Sequence, residues 1–178
     1  MNAGSSGHLY AVTVVGRDRP GIIAETTGRL SGLGLNLEDS TMTLLRGHFA
    51  MMLVCAGEAE EADIESALAS LTIDRSLTVT VAEIPAQPAS SSTGTPWVLT
   101  VHGGDRPGIV SAVVAEVAAV KGNITDLTTR RAGDLYLLVA EIDVPSGVDV
   151  GTLEAAVDRV ATELGVTATL RRSDVDEL

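Results

Sequence analysis

The sequence predicts an α+β chain of two similar βαββαβ units, each an antiparallel sheet with both helices on one face. Three observations carry this reading. The stretch Gly16-Arg17-Asp18-Arg19-Pro20-Gly21-Ile22 returns as Gly103-Gly104-Asp105-Arg106-Pro107-Gly108-Ile109, and Asn36-Leu37 returns as Asn123-Ile124 at the same offset of 87 positions. Each copy then alternates strand-like and helix-like apolar periodicity in the same order. Between the copies, residues 85–96 are rich in Pro and Ser, carry no charge and show no periodicity, as expected of a linker.

In the first copy, residues 1–7 are small and polar and are expected to lack regular structure. Residues 9–15 form a β-branched run of strand length with little polar alternation, which suits a central strand. Gly16 to Arg19 turn the chain. Pro20 then falls where a helix favours proline, at its first position, and Asp18 is close enough in sequence to cap the amides that follow. The helix should bury Ile22, Ile23, Thr26, Thr27, Leu30 and Leu33, and its copy Ile109, Val110, Val113, Val114, Val117 and Val120. Gly32, Gly34 and Gly122 are expected as left-handed caps. Residues 36–45 read as a polar edge strand and 49–55 as an apolar central one, joined by a hairpin at Arg46-Gly47-His48. A second helix over 58–71 and a strand over 77–84 close the unit.

The second copy repeats the order. Strands are expected at 97–101, 123–130, 135–143 and 166–171, helices at 107–121 and 148–164, and a frayed tail at 173–178. The units therefore span 8–84 and 97–172. Right-handed crossovers with central first and third strands give the ferredoxin-like sheet order 4-1-3-2.

Composition excludes several functions. The net charge is −12, with Lys121 the single lysine. Such a surface repels phosphate backbones, and Arg130-Arg131 and Arg171-Arg172 are too small as basic patches to offset it, so no direct nucleic-acid binding is expected. Phe49 and Tyr136 are too few aromatics for a base-stacking platform. His8, His48 and His102 are scattered, Cys55 stands alone in an apolar run, and no nucleophile, metal or P-loop motif is present. No catalytic residue, metal or cofactor is expected. The absence of a leader-like segment or a membrane-length apolar run, together with the lone thiol, points to the cytoplasm.

What remains is the repeated loop. A helix N-terminus at Gly21-Ile22 or Gly108-Ile109 presents unpaired amides suited to a carboxylate, and glycine allows close approach. Asp18 or Asp105 could accept from an ammonium group, and Asn36 or Asn123 offers both a donor and an acceptor. A carboxylate plus an ammonium describes an amino acid. The same residues also have structural readings as caps and turn formers. Arg19 and Arg106 are expected to pair with surface carboxylates or an adjoining subunit. Val15 and Arg17 are replaced by His102 and Gly104, so the loops differ, and the second is the less encumbered.

With these residues in place, each unit resembles the ACT domain, a βαββαβ regulatory module. The Asp-Arg-Pro-Gly-Ile loop and the later Asn-Leu/Ile step carry the resemblance. Two such units with nothing attached resemble the glycine cleavage system transcriptional repressors and related stand-alone double-ACT proteins. The resemblance implies binding of amino acids or similar metabolites at interfaces between paired domains. It carries over onto Gly21 and Gly108, with Asn36 and Asn123 at the position after the first helix, and together with the reading of the loop the candidate sites are Asp18, Pro20, Gly21, Ile22, Asn36 and Leu37, and equally Asp105, Pro107, Gly108, Ile109, Asn123 and Ile124. Output would pass through a protein partner and a homodimer. A ligand-independent interaction module regulating a metabolic enzyme is the alternative.

Overall fold

The computed structural model describes residues 7–85 and 94–173. The expected disorder at 1–6, most of the proposed linker and the tail at 174–178 lie outside these residues. The chain divides into two compact units, 1–89 and 90–178.

In the first unit the order is β1 (His8–Arg17), α1 (Ile22–Gly32), β2 (Asn36–Leu45), β3 (His48–Gly57), α2 (Glu61–Leu68), a 3-10 turn (Ala69–Thr72) and β4 (Leu77–Ile84). The second has β5 (Gly94–Gly104), α3 (Ile109–Ala119), β6 (Asn123–Ala132), β7 (Leu135–Pro145), α4 (Val150–Leu164) and β8 (Val166–Arg172). The sheet orders β2-β3-β1-β4 and β6-β7-β5-β8 are those expected, with every neighbouring pair antiparallel. β5 starts at Gly94, three residues before the expected Trp97, because Gly94, Thr95 and Pro96 continue the ladder opposite Pro145, Val144 and Asp143.

Each unit has its own core. In the first, Tyr10, Val12 and Val14 of β1 and Phe49, Met51, Leu53 and Cys55 of β3 face Ile22, Leu30, Ile64 and Leu68 of the helices. In the second, Leu99 and Val101 with Leu138, Ala140 and Ile142 face Ile109, Val113, Val117, Leu153 and Val157. The burial stripe of α1 is narrower than expected, since Ile23 is 45% exposed. Thr26, by contrast, is fully buried and turns its hydroxyl back onto the Ile22 carbonyl at 2.8 Å.

Helix ends supply the main corrections. Pro20 and Pro107 precede the helices rather than opening them. Gly21 and Gly108 are the N-cap residues, at φ/ψ of 91/−5° and 91/−4°, and no side chain, Asp18 and Asp105 included, caps either helix. Those angles suit the third position of a type II turn, which favours proline before it, so Pro-Gly serves the turn and not the helix. At the other end, Gly34 takes the left-handed position (φ 75°) in the first unit, whereas Lys121 (φ 59°) takes it in the second. Gly122 is required for another reason. Its amide donates to Val117 O at 2.9 Å, and a β-carbon there would come within 2.8 Å of Val117 Cγ1. The helix expected over 58–71 is shorter, because its last turn tightens to 3-10 form. α4 begins at Val150 because Asp149 caps it, accepting from the Gly151 amide at 3.1 Å and the Thr152 hydroxyl at 2.8 Å. The hairpin after β2 needs only Arg46 and Gly47, both at positive φ.

Candidate functional site

The two Pro-Gly loops lie at corresponding ends of their sheets. Gly16 is pressed against the neighbouring strand, and a β-carbon there would stand 2.0 Å from Ser76 O; at Gly103 it would meet Val166 at 2.8 Å. These glycines let the chain leave the sheet tightly. The Asp18 amide then donates to Gly47 O at 3.1 Å, and the Asp105 amide to Asp134 O at 3.2 Å, which ties each loop to the adjacent hairpin.

The first intrahelical bonds are Glu25 N to Gly21 O and Ala112 N to Gly108 O, both 2.9 Å. Ile22, Ile23 and Ala24, and likewise Ile109, Val110 and Ser111, therefore keep amides with no intrahelical acceptor. Beside them are recesses of about 360 Å³, lined by Asp18, Arg19, Pro20, Gly21, Met42 and Phe49 among others, and about 410 Å³, lined by Asp105, Arg106, Gly108, Val110, Ser111 and Tyr136. Ile22 and Ile109 belong to the cores, so only their backbones are available.

The side-chain charges of the two loops are arranged in opposite ways. In the first, Arg19 Nη2 pairs with Glu25 Oε2 at 3.4 Å, while Asp18 has no ion-pair partner among the described residues. Burial tends to raise the Glu25 pKa, yet hydrogen bonds from Arg19, Arg29 and Ser70 hold it below the ordinary glutamate range. In the second loop Ala112 stands where the first has Glu25, and Arg131 stands where it has Leu44. Asp105 Oδ2 is accordingly taken by Arg131 Nη1 at 3.3 Å. Arg106 has no carboxylate partner among the described residues, which leaves an adjoining subunit as the remaining expected partner, and its guanidinium lies near Gly165. Arg106 and the unpaired amides line one recess, an arrangement that suits an anionic group at the second loop.

Both halves of the repeat match the ACT domain, over residues 8–82 and 95–171. The chain belongs to the ACT domain family. It is 28% identical over 174 residues to the glycine cleavage system transcriptional repressor of Escherichia coli, covering 93% of this chain and 90% of that protein. A UPF0237 protein of Methanopyrus kandleri is 35% identical over 79 residues, which span 44% of this chain and 88% of that one. Among solved structures, a protein of unknown function from Galdieria sulphuraria superposes with a TM-score of 0.80 at 28% identity, covering 94% of this chain and 99% of that one.

Within one ACT unit the asparagine steps are not beside the glycine loop. Asn36 pairs with Ala56, which pairs with Leu9 on its other side, seven rows from Gly16. Asn123 is level with Pro96, seven rows from Gly103. At about 3.3 Å per row, each asparagine is ~23 Å from its own loop. Leu37 and Ile124 sit at the same far ends, next to β-bulges at Glu38 and Thr125. The Asn36 amide donates to Glu38 Oε1 at 2.9 Å. Thus Asp18, Pro20, Gly21 and Ile22 come together, as do Asp105, Pro107, Gly108 and Ile109, while the four later residues do not join them. Sequence reading passed over Ala112, Ser111 and Tyr136. Comparing the copies at offset 87 would have exposed the Glu25 to Ala112 exchange. Among the described residues no acidic, His or Cys cluster could hold a metal, and no helix is long and apolar enough to cross a membrane.

Proposed function

We propose that this chain is a non-enzymatic regulatory protein that binds an amino acid or a similar small carboxylate at the second Pro-Gly loop. It acts through a protein partner in the cytoplasm, in transcriptional control of amino-acid metabolism, and works as a homodimer. The observation that carries the ligand reading is Arg106, left without a carboxylate partner beside the open amides of Ile109, Val110 and Ser111. The carboxylate would lie over those amides and against Arg106. Asn123 is too distant to contribute from its own unit, so any asparagine contact would come from the other unit or from another copy of the chain. The relationship to a glycine cleavage system transcriptional repressor supports the regulatory reading.

Isothermal calorimetry against the twenty amino acids tests the proposal. Arg106→Gln should weaken binding about tenfold, which corresponds to one charge-assisted hydrogen bond of ~1.5 kcal/mol, while Arg19→Gln leaves it unchanged. Silence across the panel at millimolar concentration would sink the ligand reading. A ligand-independent interaction module is favoured by a different observation, the apolar lining of the first recess by Ile23, Met42 and Phe49. It predicts partner recovery in a pull-down that is indifferent to added amino acids.

A further inference from the structure

Strand alternation leaves each sheet with a face turned away from its helices. In the first unit Thr13, Val15 and Arg17 of β1 lie on that face, opposite Met52, Ala50 and His48 of β3. Val15 and Met52 are 49 and 45% exposed, and with Thr41 and Thr43 they line a shallow recess of about 260 Å³ that holds no charged side chain. The next pair along the face, Arg17 and His48, is basic, and the turns beside it add two arginines. Arg46 lies in the hairpin between β2 and β3, and Arg75 precedes Ser76, whose carbonyl accepts from the Arg17 amide at 2.9 Å. Among the described residues none of these arginines, nor His48, has an ion-pair partner. Asp74 in the same turn accepts from the Ser76 amide and hydroxyl at 2.9 and 2.7 Å. Arg46 and Arg75 hold left-handed backbone, at φ 51° and 56°, where glycine or asparagine is favoured, so keeping arginine there costs stability. The second unit keeps the fold without these features. Arg17, Arg46 and His48 become Gly104, Gly133 and Leu135, while Glu141 and Arg130 put charge where the first unit has Val54 and Thr43.

We infer that this face of the first unit docks a protein partner through an extended segment of about six residues, apolar at one end and acidic at the other. The apolar recess and the basic end together select that occupant. From the Ala11–Val54 row to the Arg17–His48 row the strands advance six residue steps, or ~20 Å, which is the length of such a segment. Its apolar side chains would cover Val15 and Met52, and its carboxylates would meet Arg17, Arg46 and Arg75 in charge-assisted hydrogen bonds. Other occupants fit less well. A nucleic-acid strand carries phosphate along its whole length and would leave the apolar rows uncovered. A second copy stacked on the same face sets each basic end against either the other basic end or the apolar rows, and neither arrangement pairs the charges. This inference rests on the protein-partner reading, whose surface it names, and it does not depend on ligand binding.

Selection of random twelve-residue peptides displayed on phage against the full chain tests it, followed by fluorescence anisotropy of the enriched sequences. These should join apolar to acidic residues and bind more weakly as salt rises. Arg17→Glu and Met52→Glu should each weaken binding at least about tenfold, while Arg130→Glu on the other unit should have no effect. Arg46→Gly and Arg75→Gly should also weaken it but hold or raise Tm, which separates loss of contact from loss of fold. Enriched peptides without acidic residues, or indifferent to Arg17→Glu and Met52→Glu, would overturn the proposal. So would a duplex DNA shift that Arg17→Glu abolishes, or self-association that Met52→Glu abolishes. Failure to enrich any peptide removes this surface; only a pull-down that recovers no partner removes the partner reading itself.

Discussion

The difference between the two loops can be tested by moving one residue. In the first unit Glu25 holds Arg19 at 3.4 Å; in the second, Ala112 leaves Arg106 unpaired. Ala112→Glu should therefore bring the second loop to the state of the first. Two electrostatic effects on a bound carboxylate follow. Unit charges about 4 Å apart in a water-like medium interact by ~1 kcal/mol, so neutralising Arg106 removes about that much attraction. The new carboxylate repels the ligand by a similar amount. Their sum of ~2 kcal/mol predicts a loss of affinity of about thirtyfold, read by calorimetry. Unfolding should not explain it, because an acidic residue in the first helical turn is favourable by ~0.3–1 kcal/mol and should hold Tm near the wild-type value. An affinity within a factor of three of wild type, with Tm also unchanged, would refute the claim that an uncommitted Arg106 defines the site.

Further outcomes follow from the local geometry. Gly108→Ala should cost about 1–2 kcal/mol and lower Tm by several degrees, because φ is 91° while the nearest atom to a new β-carbon is Ser111 Oγ at 3.9 Å; Gly104→Ala, with open space around it, should be silent in thermal melts. Asp149→Ala should lower stability by ~1 kcal/mol in denaturant titration through loss of the α4 cap. His8 Nδ1 lies 2.7 Å from Glu83 Oε1, and this hydrogen bond and the Glu83 charge raise the His8 pKa. Since the folded value is the higher one, the stabilisation is fully present below the ordinary value of 6.5 and is lost as pH rises through the raised value. The Tm advantage of wild type over His8→Asn should therefore shrink across that window.

The repeat, the strand order and the central position of the apolar strands were legible because period-2 and period-3.6 burial are written directly in the side chains. Gly21 and Pro20 were legible as a turn but not in their order around the helix start. The same dipeptide serves a type II turn or a first helical position, and only the φ of 91° at Gly21 decides. The asparagine step misled for a topological reason. A crossover helix runs back along the sheet, so the residue after α1 enters β2 at the end opposite the loop before α1. Adjacency in sequence to the helix is then distance in space from its N-terminus. The ion pairs needed register as well as sequence. That Arg131 reaches Asp105 depends on Arg131 lying opposite Tyr136, which itself lies opposite Gly103, at the same end of the sheet as the loop.

Duplication has let the two units diverge in charge and apolarity while keeping one backbone. The first has spent its loop cation on Glu25 and exposes Met42, Leu44 and Leu45 along an edge; the second has freed Arg106 and placed Arg131 where Leu44 stands. The loop proposed to capture a ligand and the exposed apolar strand thus belong to different units, each with its own core. If those units fold and respond independently, dilution from dimer to monomer should leave the affinity for a bound carboxylate within about twofold, and saturating ligand should leave the dimer Kd within the same factor. The two shifts must agree, since coupling between two binding equilibria is reciprocal. A shift of tenfold or more in both would refute independence. It would mean that the ligand signals by changing how copies pair, and not by altering the surface that a protein partner meets.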